Sequence, residues 1–155
     1  MTTLRVTLHD RATSFDIDGT TCAIPVGVGT LAEAFTGDPP HPEELTNAIG
    51  LVHDHLEDAG RELPLIEFTH RIEVAGIGVD VVAAVEVGAP TELPFELSRE
   101  AAEEVFRTLV TEPRLDRRHN PGLPDAMVHD VLAVASALVA LMRFLDADTV
   151  WLVGQ

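Results

Sequence analysis

The chain has no lysine and no tyrosine, a single cysteine and a single tryptophan, and only 5% aromatic residues in 155. Each shortage excludes something. One cysteine, Cys22, rules out an internal disulfide framework and a redox pair of thiols, and it reads as a small buried hydrophobe. All 10 basic side chains are arginines, and 26 acids outnumber them to give a formal charge of −16. That balance argues against an electrostatic grip on nucleic acid or an anionic membrane and fits an acidic cytoplasmic surface. Long apolar runs are missing too. The most apolar stretch, "VLAVASALVALM" (131–142), is bounded by Asp130 and Arg143 and falls well short of the ~20 residues that cross a bilayer, so it reads as a buried helix. The start, "MTTLRVTLHD", lacks the basic and apolar regions of a leader peptide, and Met1 fits a complete chain. The length suits one domain over residues 1–155.

What is present has clear periodicity. "LRVTLH" (4–9) and "TSFDID" (13–18) alternate around a short polar break, and "TCAIPVG" (21–27) follows the turn at Gly19, so three short antiparallel strands open the chain. Pro25 requires an edge, an end or a bulge. Pro42 suits the first turn of a helix whose apolar face is Leu45, Ile49, Val52 and Leu56 and which ends near Gly60. "RIEVAGIG" (71–78) is a strand running into a glycine turn, and "VDVVAAVEV" (79–87) a short helix. Ser98 caps a further helix that turns Ala102, Val105, Phe106 and Leu109 inward. Residues 125–145 form a long helix that is apolar nearly all round, and "TVWLV" (149–153) is the last strand. The predicted order is β-β-β-α-β-α-α-α-β, an α/β fold with antiparallel strands first and crossover helices after.

"FDIDGT" (15–20) resembles the opening motif of haloacid-dehalogenase-type phosphatases, which implies a nucleophilic Asp16 with Asp18 as its proton-handling partner and magnesium between them. That chemistry also needs a cation for the phosphoryl oxygens, usually lysine, and a late acidic pair. Neither accompanies the motif: "DTVWLVGQ" (148–155) has the strand and the glycine but no aspartates after them.

A broader resemblance runs along the chain. Pro25, Gly27, Leu31, Glu33, Phe35, Asp38, Pro39 and Pro40 in "PVGVGTLAEAFTGDPPHPEEL" (25–45), the turn in "VAGIGVDVVAA" (74–84), and Arg117, Arg118, Pro121, Gly122, Leu123 and Asp130 in "RRHNPGLPDAMVHDVLAVASALV" (117–139) follow one another in a recognisable order. They resemble the second lobe of the exopolyphosphatase and guanosine pentaphosphate phosphohydrolase family, Ppx/GppA. The resemblance implies a single ribonuclease H-like lobe of the actin-like ATPase kind, in which glycine-rich turns cradle phosphate through backbone N–H groups. By this resemblance Asp16, Asp18, Gly19, Thr20 and Thr21, together with Gly76 and Gly78, are the degenerate remains of those loops. The glycine run has shrunk to Asp18 and Gly19, and a carboxylate stands where an anion would dock. Thr30, Ala34 and Ile77 replace basic or hydroxyl residues of the family, and the first lobe with its water-activating glutamate has no counterpart.

The expectation is therefore a lobe without catalytic residues of its own, acting as a binding or regulatory module. The alternative is a phosphoric anhydride hydrolase, active on polyphosphate or guanosine pentaphosphate once an oligomer or a separate first-lobe protein completes the cleft. A further alternative is a dehalogenase-type phosphatase using Asp16. No cofactor is expected, with magnesium only if the protein is active. The partner is a second copy, covering the surface that a first lobe would cover, or a separate first-lobe protein. The histidines and acids of "HDHLED" (53–58) read as a surface cluster and not a metal site, because His53 and His55 point opposite ways on a helix, and His129 reads as a helix-start or packing residue. The one basic cluster, "RLDRRH" (114–119), offers Arg114, Arg117 and Arg118 as an ion-pairing loop or as an anion or partner contact.

Overall fold

A computed structural model describes residues 2–63 and 69–155. The alternating segments form β1 (Thr3–Leu8), β2 (Thr13–Ile17) and β3 (Thr20–Ile24), an antiparallel meander. Leu4, Val6, Leu8, Phe15 and Ile17 turn to one side and are buried, while Arg5, Thr7, Ser14 and Asp16 turn to the other. Pro25 stands just past the end of β3, where its missing N–H costs the ladder nothing. The chain continues through α1 (Val28–Ala34) and α2 (Pro42–Glu62) to β4 (Arg71–Gly76) and α3 (Val79–Val87). Then come β5 (Phe95–Ser98), α4 (Arg99–Thr111), the one-turn α5 (Arg114–Arg117), a 3-10 turn at Asp125–Met127, α6 (Asp130–Leu145) and β6 (Thr149–Leu152). The sheet order is β3-β2-β1-β4-β6-β5. Its centre, β1-β4-β6, is parallel, and the two flanks are antiparallel.

Helix starts follow the local chemistry. Pro42 occupies the first turn of α2, whose stripe Ala48, Val52, Leu56 and Ala59 is buried. Ser98 caps α4 by accepting a hydrogen bond from the Ala101 N–H at 3.1 Å, and Ala102, Val105, Phe106 and Leu109 lie inward as the periodicity predicts. Two elements are additional to those read from periodicity, β5 and α5; α1 lies in the segment marked by the resemblance alone. β5 is a four-residue strand, too short for alternation to register, and only its pairing with β6 makes it one. The long helix starts at Asp130 and not at residue 125, for a specific reason. The Val128 carbonyl accepts from the Arg117 guanidinium at 2.9 Å, so it is not the first acceptor of a helical ladder, and the Leu132 N–H turns to His129 instead.

The core is built around α6. Every residue from Val131 to Met142 is buried, and α1, α2, α3 and α4 all pack on it. Ala133, Ala135, Ser136, Ala137 and Ala140 let four helices approach one rod, and the Ser136 hydroxyl is satisfied by donating to the Leu132 carbonyl at 2.7 Å. Leu138 and Leu141 face Val6, Phe15 and Ile24 of the sheet across a cavity of only about 20 Å³. The other face of the sheet carries no helix among the described residues. Leu138→Asp should therefore place an unpaired charge in an apolar layer, at a cost on the order of 5 kcal/mol, comparable with the whole stability of such a domain. Loss of the cooperative melt in far-UV circular dichroism is expected; an unchanged melting temperature would put α6 outside the core.

Candidate functional site

In open α/β sheets ligands bind beyond the carboxyl ends of the strands. Here β1 ends at Leu8 and β4 at Gly76, which are register partners, and β3 ends at Ile24 opposite Thr13 of β2. Three connections therefore converge: the β1-β2 turn (9–12), the entry to α1 (25–27) and the β4-α3 turn (77–78). They are in close contact. Gly76, with φ of +108°, leaves no room for a Cβ against the Leu8 backbone, and the Ile77 N–H donates to the Leu8 carbonyl at 3.0 Å.

The N–H groups of the first turn of α1, at this end of the sheet, are occupied. The His9 carbonyl accepts from Val28 N–H at 2.9 Å, and the Asp10 carbonyl accepts from Gly29 N–H at 2.8 Å and Thr30 N–H at 3.3 Å. The turn itself is closed by His9 N–H donating to Ala12 at 2.9 Å. The Asp10 carboxylate lies against Gly29, and Asp80 stands in the first turn of α3, so both helix starts already face negative charge. Arg11, the one cation on the turn, pairs with Glu33, and that hydrogen bond and charge hold the Glu33 carboxyl below its ordinary range. Among the described residues no group of three histidine, cysteine or carboxylate side chains could hold a metal ion.

The positions read as remains of phosphate loops lie at two ends of the sheet. Gly76 and Gly78 lie at the strand-end cluster just described. Asp16, Asp18, Gly19, Thr20 and Thr21 lie at the opposite end, because Ile17 pairs with Leu4, and four residues of strand, ~13 Å, separate Leu4 from Leu8. "FDIDGT" is a two-residue hairpin: Asp18 and Gly19 have φ of 52° and 86°, the left-handed pair that an Asp-Gly turn supplies. Asp16 Oδ1 accepts from the Gly19 N–H at 3.2 Å and steadies that turn. A dehalogenase nucleophile sits at the end of a buried strand, whereas Asp16 sits on the uncovered face between two antiparallel neighbours. The phosphatase likeness of the motif is a likeness of letters.

The basic cluster also divides. Arg117 is 2% exposed, and its guanidinium donates to the carbonyls of Leu109 at 3.0 Å, Val128 at 2.9 Å and Glu112 at 2.8 Å. Burial lowers its pKa, yet each of its three nitrogens donates to a carbonyl, so it is structural and is not free to be the anion or partner contact offered for it. Arg114 and Arg118 point outward on the same turn beside a concavity of about 230 Å³ shared with Leu115, Asp125 and Val128. His129 Nε2 donates to the Ala32 carbonyl at 2.8 Å, a packing role that ties α6 to α1. In "HDHLED", His53 contacts the edge of Phe144 and pairs with Glu57.

No protein-family model and no curated protein matches the sequence. Solved structures do. An exopolyphosphatase-like protein superposes with a TM-score of 0.89 at 18% identity over 98% of this chain and 55% of its own. A Ppx/GppA enzyme of Aquifex aeolicus gives 0.85 at 16% identity over 99% and 54%, and an exopolyphosphatase of Cytophaga hutchinsonii 0.81 at 12% over 99% and 53%. This chain has the fold of half a Ppx/GppA phosphatase. It spans about half the length of the structures it matches, and identities this low establish the fold alone. Sequence reading found the break between β1 and β2 but missed its contact with the start of α1; the signal is the pair of small residues, Gly27 and Gly29, that admits the turn against α1.

Arg117→Met should leave three carbonyls, two of them buried, without the Arg117 donors and cost about 3 kcal/mol, which for a chain of this size lowers the melting temperature by roughly 6–12 °C. Arg118→Met, an exposed change, should stay within about 0.5 kcal/mol. Equal melts for the two variants would remove the structural role given to Arg117.

Proposed function

We propose that this chain is a binding or regulatory module built on the second-lobe fold of the exopolyphosphatases and without catalysis of its own. The observation that carries the reading is the His9–Ala12 turn. Its carbonyls accept the N–H groups of Val28, Gly29 and Thr30, the donors that would otherwise receive a phosphoryl oxygen. Asp10 and Asp80 add negative charge at the starts of α1 and α3, and Arg11, the cation beside Asp10, is shared with Glu33. A module of this kind works in the cytoplasm, which its single unpaired thiol and acidic surface suit; no helix among the described residues is long and apolar enough to cross a membrane.

The half-length match favours a second reading, in which a separate protein supplies the other lobe and hydrolysis of polyphosphate or guanosine pentaphosphate belongs to the pair. A second copy is the poorer partner. We favour a separate protein because the exposed large apolar side chains among the described residues, Leu51, Ile77, Val87 and Leu115, are few and lie on four separate segments.

The pure protein with magnesium should release no phosphate above buffer background from polyphosphate or guanosine pentaphosphate. Turnover that is lost in Asp16→Ala would overturn the module reading and restore Asp16 as a nucleophile; turnover only on addition of a first-lobe protein selects the second reading. Light scattering in physiological salt should give the 16.7 kDa mass of one chain. A doubled mass would assign the partner's place to a second copy.

A further inference from the structure

Seven of the ten arginines hold a carboxylate at 2.5–3.4 Å. Arg117 is taken up by three carbonyls. Arg114 and Arg118 hold no carboxylate within 4.0 Å among the described residues, although the chain carries 26 acids. They stand four residues apart on one turn, and between them Leu115 is 70% exposed, the most exposed large apolar side chain described. Arg114, Leu115 and Arg118 together line one concavity, with Val128 as a further apolar wall and Asp125 at an edge.

This ridge is built to stay where it is. Pro113 caps the turn, and the Arg114 N–H donates to Asp38 Oδ1 at 2.6 Å. Asn120 Nδ2 donates to Glu112 Oε1 at 2.7 Å, and Arg117 fastens the turn from beneath. The loop that presents Asp38 is itself held by Glu44, whose carboxylate accepts from the N–H of His41, from the Thr36 hydroxyl and N–H, and from the N–H of Gly37, which brings its pKa down to about 2. An exposed leucine between two unpartnered arginines on a rigid turn has the composition of an interface anchor, where arginine and apolar contact are enriched and little ordering entropy remains to be lost.

We propose that Arg114, Leu115 and Arg118 form a docking site for an acidic segment of a partner protein, with an apolar side chain seated on Leu115 and Val128 and carboxylates on either side reaching the two guanidinium groups. Charge complementarity selects the acidic partner. The leucine selects a protein segment over a bare polyanion, which would gain nothing from it and would meet Asp125 at the rim. The overall charge of −16 opposes a long polyanion, whereas a short segment within the ~8 Å screening length at physiological salt responds mainly to the local pair. Contacts of this kind favour planar two-point hydrogen bonding to carboxylates by Arg.

The inference deepens the module reading and rests on it. It is tested by fluorescence anisotropy with labelled synthetic peptides in which a leucine or phenylalanine lies between glutamates three or four residues apart. Saturable binding is expected, weakened about tenfold or more by Arg114→Glu/Arg118→Glu and comparably by Leu115→Ser, with melting temperatures unchanged because all three side chains are exposed. Inorganic tripolyphosphate should not displace the peptide. No saturable binding up to millimolar peptide, binding indifferent to these substitutions, or displacement by tripolyphosphate would each overturn the proposal. The phosphate-release assay is separate: peptide binding together with turnover defeats the module reading and leaves the docking site standing, and absence of both does the reverse.

Discussion

A sheet covered on one face has to place its whole core on that side, and in this chain the single rod α6 organises it. The alternation in β1 and β2 sends Leu4, Val6, Leu8, Phe15 and Ile17 inward together, and α6 meets them with residues that are buried from Val131 to Met142. Small side chains on α6 allow α1, α2, α3 and α4 to surround it. Large ones at Leu132, Leu138 and Leu141 fill the space left, so the layer needs both kinds at native packing density. The all-round apolar character of 131–142 follows from that position and from nothing to do with a membrane.

The same constraint sets what happens just before the helix. A rod buried on every side cannot begin with unsatisfied polar groups, and the segment 112–128 brings an arginine to meet them. Arg117 answers three carbonyls, those of Leu109, Glu112 and Val128, and in doing so ties the end of α4 to the segment before α6 and stiffens the turn that follows α4. Neighbouring residues on a helical turn point ~100° apart, which is why Arg117 goes into the core while Arg118 goes into solvent. Two adjacent arginines, alike in sequence, are a structural staple and an exposed side chain.

Much of the architecture was legible in the sequence because it rests on periodicity and caps. The three opening strands, the stripes of α2 and α4, the Ser98 cap and the buried helix are local patterns with one physical solution. The order of motifs shared with Ppx/GppA phosphatases carried the fold further than periodicity did, and it marked the α1 segment. What the sequence did not disclose depends on pairing between distant segments. β5 is a strand only because β6 lies beside it. Asp16, Asp18, Gly19, Thr20 and Thr21 were read with Gly76 and Gly78 as phosphate-loop positions by the family resemblance, and only the register shows that the Asp18-Gly19 turn lies at the end of the sheet away from Gly76. Arg114, Arg117 and Arg118 were indistinguishable before burial separated them.

The uncovered face shows why a half-length fold can stand without a second layer. Parallel strands are normally buried on both faces, but here only three are parallel, and their outer side is polar and internally matched. Register sets Asp16, Arg5, Glu73 and Trp151 side by side across four strands. Glu73 accepts from Arg71 at 2.9 Å and lies 3.4 Å from Arg5, and the Arg71 guanidinium stacks 4.5 Å over the Trp151 ring. A face so arranged can remain in water, since its charges neutralise one another and its one large ring is covered by a cation. It also offers a partner little, because any newcomer must displace pairs already formed. The ridge at Arg114 and Arg118 differs in that respect: among the described residues its guanidinium groups hold no carboxylate within 4.0 Å, so an incoming carboxylate gains the interaction without first breaking an ion pair.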